Sequence, residues 1–109
     1  MKLIIAVVQD EDSLDLIEEL SKKGYTITKL ATTGGFLKAG NTTLLIGVEE
    51  EKVDDAIKII KDNCEARKGV VPTPEAIPEP NGVYVPYPVE VEVGGATVFV
   101  VDVDKFFKF

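Results

Sequence analysis

The stretch ATTGGFLKAGNTT, residues 31–43, gathers the side chains and backbone best suited to holding a small anion. Gly34 and Gly35 lack Cβ atoms, so the backbone there is free to adopt φ > 0 and to aim successive N–H groups at one phosphate. Phe36 and Leu37 follow directly and offer an apolar face to a nucleobase. Asn41 carries both donors and acceptors, fit to read a base edge or to hold a phosphate oxygen. Thr28, Thr32, Thr33, Thr42 and Thr43 add hydroxyls, and Lys29 and Lys38 are the nearby cations. Nucleotide recognition is one reading of this pattern. The other is an ordinary connection, because glycine, asparagine and threonine are also the usual residues of turns.

Other chemistry is limited by what the chain lacks. It has no histidine and a single cysteine, Cys64, which excludes an intrachain disulfide, a cysteine or histidine zinc site and a histidine general base. The remaining nucleophiles and acids form no recognisable catalytic constellation, so the chain reads as a non-enzyme without a metal. Its formal charge of −7 opposes nucleic acid and anionic membrane surfaces, and any anionic ligand must be held by local donors. The N-terminal apolar run is too short for a signal-peptide core or a membrane span, which implies a cytoplasmic location. Cys64 reads as a small buried hydrophobe, the acidic run at 49–51 as a solvated helix start, and the tail DKFFKF as an anchor of the C-terminus on the core.

The elements that must position these residues follow from periodicity. Lys2 to Val8 is a β-branched run buried on both faces. Asp10 to Gly24 reads as a helix with an acidic first turn, Leu16, Ile17 and Leu20 on one face, and Gly24 as its stop. Tyr25 to Ala31 and Thr42 to Val48 read as strands. Glu49 to Asn63 places Val53, Ile57 and Ile60 at helical spacing. All six prolines fall between Pro72 and Pro88, which suggests a long, partly extended loop over about 65–88. PVEVEV, Gly94-Gly95 and ATVFVVDV then read as a terminal hairpin. The whole is expected to be one α+β domain over 1–109, a ferredoxin-like split βαβ (βαββαβ) with an extra C-terminal strand hairpin. Two helices on one face leave the other face of the sheet in need of cover, most simply by copies of the same chain.

The blocks KLIIAVVQDEDS at 2–13, KLATTGGFLKAGNTTLLIGV at 29–48 and PYPVEVEVGGATVFVVDVDKF at 86–106 resemble the PII-like cyclic-di-AMP receptor proteins over nearly the whole chain. The resemblance implies a homotrimer, a cyclic dinucleotide in each inter-subunit cleft, no catalysis, and a signal passed to a downstream protein through loops. By position it sets Thr28, Gly35, Phe36, Leu37, Asn41 and Gly47 around the ligand, with Phe99 supplied by the neighbouring subunit. Thr26 and Lys38 stand where the family carries arginine, and Gly24 where it can carry a polar side chain, so forked guanidinium contacts are missing. Two alternatives are an ATP or ADP sensor of the general PII type and a structural trimer without ligand. The short loop after the second strand, with Lys38 its lone cation, disfavours the first.

Overall fold

The computed structural model describes residues 1–30, 40–78 and 84–109. Its elements are β1 (Lys2–Gln9), α1 (Asp10–Lys22), β2 (Ile27–Leu30), β3 (Asn41–Val48), α2 (Val53–Cys64), β4 (Arg67–Pro78), β5 (Tyr84–Val93) and β6 (Ala96–Asp102), with a 3₁₀ turn at Glu50–Lys52 leading into α2. Four strands form one sheet in the order β2-β3-β1-β6. Every neighbouring pair is antiparallel. That makes β1 and β2 parallel with β3 between them, and β3 and β6 parallel with β1 between them, the doubled split βαβ of the ferredoxin-like arrangement.

One face of the sheet carries the core. Ile4, Ala6 and Val8 of β1 and Leu44, Ile46 and Val48 of β3 meet Leu16 and Leu20 of α1 and Ala56, Ile60 and Cys64 of α2, all buried. At about 1.5–3 kcal/mol for each large side chain removed from water, this cluster is the main favourable contribution to folding. Spacing of four along α2 selects Ala56, Ile60 and Cys64 as the deepest residues, with Val53 and Ile57 at the margin. Helix α1 ends as a Schellman turn: Gly24 has φ +88°, its N–H reaches the Ser21 carbonyl, and the Tyr25 N–H reaches Leu20. Tyr25 then packs on the core.

Three expectations need correction. Residues 67–78 and 84–93 are not loop: they pair as a two-stranded antiparallel arm. Prolines interrupt a ladder only where their missing N–H is needed, and here Pro72 stands opposite Pro88, with Pro86 and Pro78 at the next pairs of the same parity. The ladder carries prolines at these positions, with its register shifted between Pro72 and Ala76. The terminal hairpin is also absent, for among the described residues β5 pairs with β4 and β6 with β1. Gly94 and Gly95, at φ +78° and +99°, make a corner between two sheets instead. The extra pair of strands is thus inserted before the last sheet strand rather than appended after it. Finally, the tail is not packed on the core: Phe106 and Phe107 are 62% and 69% exposed, and Phe107 stacks on Phe109 instead.

Candidate functional site

Strand register decides which of the sequence-selected residues share a surface, because directly opposed residues project to the same face. Thr28 lies opposite Leu45, Leu45 opposite Ile5, and Ile5 opposite Phe99. This row crosses the sheet on the face that the helices leave open. The parity extends to Leu3, Gly47 and Val101 on one side, and to Leu30, Thr43 and Val7 and then Gln9 and Asn41 on the other. Thr28, Asn41, Gly47 and Phe99 therefore occupy one face. Thr42 and Lys29 belong to the opposite face, at register positions shared with buried Val8 and Leu44. Gly35, Phe36 and Leu37 lie outside the described residues.

The open face is mostly apolar. Leu3, Ile5, Val7 and Leu45 are half-buried, and Phe99, Val101 and Leu30 are 52%, 41% and 41% exposed. Its polar groups include the Thr28, Thr43 and Thr97 hydroxyls and the Gln9 and Asn41 amides, while Gly47 adds bare backbone with open space where a Cβ would stand. Asn41 and Gly47 are six residues apart on β3, roughly 20 Å of strand. Phe99 shares the row of Thr28 but stands three strand spacings away, roughly 14 Å. Around the lower end, a hollow of about 190 Å³ joins Gly47 to Gly24, Thr26, Lys23 and Lys52. A larger apolar cleft of about 290 Å³ lies between α2 and β6 on the helix side, away from these groups.

Asn41 is positioned by residues that sequence reading assigned only to a helix start. The Asp10 N–H donates to the Gly40 carbonyl at 2.7 Å, and the Asp10 carboxylate accepts from the Thr42 hydroxyl. Gly40 itself has φ +99°, a conformation that side chains resist. Asp12, with its side chain 8% exposed, receives both Arg67 nitrogens at 2.8 and 3.3 Å. Gln9 accepts from the Gly94 N–H at 2.8 Å. The one signal in the chain for these roles was the polar cluster QDED at 9–12, which a helix N-terminus already explained.

Burial above all, with the Asp12 charge, pushes the Cys64 thiol up to about 11, which leaves it protonated and unreactive near neutrality. Burial and the hydrogen bond to Asp55 push the Tyr25 phenol up to about 12. No cluster of His, Cys, Asp or Glu among the described residues is arranged to hold a metal. No described helix is long and apolar enough to cross a membrane. What the face offers is adsorption of a flat apolar group flanked by hydroxyl, amide and backbone donors.

Known proteins resemble this chain. The family model described as cyclic-di-AMP receptor matches residues 1–109. The nitrogen fixation nifHD region GlnB-like protein 1 of Methanothermococcus thermolithotrophicus is 32% identical over 77 residues, 59% of this chain and 73% of that protein. A crystal structure of a functionally unknown protein from Pediococcus pentosaceus ATCC 25745 superposes with a TM-score of 0.77 at 44% identity, covering 99% of this chain and 96% of the other.

Proposed function

Because the chain belongs to the cyclic-di-AMP receptor family, we propose that it is a cytoplasmic, non-catalytic signalling receptor. In this reading it assembles as a homotrimer and binds cyclic-di-AMP in the clefts between subunits. The observation that carries the proposal is the placement of Thr28 and Phe99 in one row of one face with two strands between them. A ligand seated on β2 and β3, against Thr28, Asn41 and Gly47, lies two to three strand spacings, roughly 10–14 Å, from the strand of Phe99 in its own chain. Phe99 is on the edge strand, where a neighbouring subunit presents it to the same ligand. The half-exposed apolar face supports the same assembly, since a closed cyclic oligomer removes it from water. Gly35, Phe36 and Leu37 complete the pocket from the segment that joins β2 to β3. The occupied site is relayed to a partner protein by rearrangement of the surrounding segments, the β4–β5 arm among them.

The likeness to a GlnB-like protein favours a second reading, a PII-type sensor of ATP or ADP. One set of isothermal titrations with cyclic-di-AMP, ATP and cyclic-di-GMP separates the two. The proposal expects saturable binding of cyclic-di-AMP at one ligand per chain, with ATP and cyclic-di-GMP much weaker. Preferential binding of ATP would replace it with the second reading.

A further inference from the structure

The junction of β1 and α1 touches both the entrance of β3 and the two feet of the arm. Asp10 holds Gly40 and Thr42 on either side of Asn41, through its N–H and its carboxylate. Two residues on, the buried Asp12 carboxylate takes the fork of Arg67, the first residue of β4, and Arg67 also donates to the Glu65 carbonyl at 3.2 Å. Gln9 takes the N–H of Gly94, the residue that follows β5. Gly94 is also packed on Arg67, since a Cβ there would collide with the guanidinium. The arm therefore stands on this one corner by both strands. Within the corner, Asp10 and Asp12 belong to the same helical turn.

We propose that Asp10, Asp12 and Arg67 are positioning residues that couple the entrance of β3 to the arm, so that occupation of the site beside Asn41 sets the orientation of β4 and β5. The coupling rests on the function proposed above for its ligand, but the mechanical link exists without one. A charge-assisted fork onto a buried carboxylate is the strongest polar contact available at such a point. Breaking it leaves Asp12 as a buried anion without its partner, so the first turn of α1 shifts or takes up water. Asp10 shifts with it, and its two contacts at the β3 entrance loosen. By linkage, if ligand binding favours one orientation of the arm by some factor, fixing the arm in that orientation raises ligand affinity by the same factor.

Hydrogen–deuterium exchange on the full chain tests this with Thr42→Val, which removes the hydroxyl donor to Asp10 at constant volume, with Arg67→Met, and with both. Coupling predicts that each single change speeds exchange at both places, residues 41–43 and the arm feet at 67–69 and 92–94. It also predicts that the double variant falls short of the product of the two effects. Arg67→Lys, which keeps the charge but loses the fork, should recover part of the protection. Purely local effects that multiply in the double variant would overturn the coupling. A second series adds cyclic-di-AMP: it should protect both places in the parent chain and only 41–43 in Arg67→Met, whereas an arm that still responds in Arg67→Met would refute the link. Absence of any cyclic-di-AMP effect in the parent would count against the proposed function, while the ligand-free series judges the coupling by itself.

Discussion

Gly47→Ala separates a ligand-facing backbone from an ordinary strand residue. A Cβ at position 47 meets nothing within 4 Å in the chain, and Gly47 is not among the glycines with positive φ. The substitution is therefore free of clash and of backbone strain within one subunit. Glycine in a strand interior is about 0.5–1 kcal/mol less favourable than alanine, so the variant should melt at or slightly above the parent temperature. In the trimer with ligand, the same methyl group would stand where the proposal seats the ligand against bare backbone. Forcing an extra carbon into such a contact costs about 1–3 kcal/mol, which is roughly 5- to 150-fold in affinity. Gly40→Ala is the contrasting control. Gly40 has φ +99°, and a side chain there costs about 1–2 kcal/mol, so that variant should lose melting temperature whether or not a ligand binds. Thermal melts, light scattering and titration with cyclic-di-AMP on both variants give the answer. A Gly47→Ala protein with parental melting, parental assembly and parental affinity would refute the placement of the ligand over β3.

Phe36→Ala should weaken cyclic-di-AMP binding by about 1–3 kcal/mol through loss of base stacking, and Asn41→Ala should weaken it through an unpaired base edge or phosphate, both read by titration. Val101→Asp places a charge on the open sheet face at a residue 41% exposed in the single chain. It should leave the fold intact but shift sedimentation from trimer to monomer, because that charge would be buried without a partner. Cys64 is fully buried, with its thiol raised from 9.0 to about 11, so iodoacetamide at pH 8 should label it only on unfolding. A folded pKa above the unfolded one means that the protonated thiol's contribution is present below about pH 9 and is lost as pH rises through 11. Denaturant titrations of the parent and Cys64→Ala should therefore show a steeper loss of stability in the parent across that window.

The sheet, its helices and its buried face were legible in the sequence because each follows from a local period. The spacing of Leu16 and Leu20 and the Ile57–Ile60 stripe encode burial directly, whereas KLIIAVV, expected to be buried on both faces, is buried at Ile4, Ala6 and Val8 on the helix side and only half-buried at Leu3, Ile5 and Val7 on the other. The gathering of Thr28, Asn41, Gly47 and Phe99 on one face was not legible before the register was known, since a slip of one residue sends a strand residue to the other face. Thr42 shows this: its hydroxyl looks like part of the pocket in sequence, yet it faces the helices and is used by Asp10. The arm was misread because proline normally marks a strand's absence. The spacing of Pro86 and Pro88 at two residues was the available sign of an edge ribbon. Gly94-Gly95 has the backbone signs of a hairpin turn, but the pairing of β6 with β1 is a long-range choice that no local signal records. The same holds for Arg67 and Asp12, 55 positions apart in sequence and joined only in the fold.

Native mass spectrometry of the protein with cyclic-di-AMP reports assembly and occupancy together. A trimeric receptor should give a species of about three times the 11.8 kDa chain mass carrying up to three ligands, with no ligand on residual monomer. Ligand retained by monomers, or trimers that take up ATP in preference to cyclic-di-AMP, would contradict it.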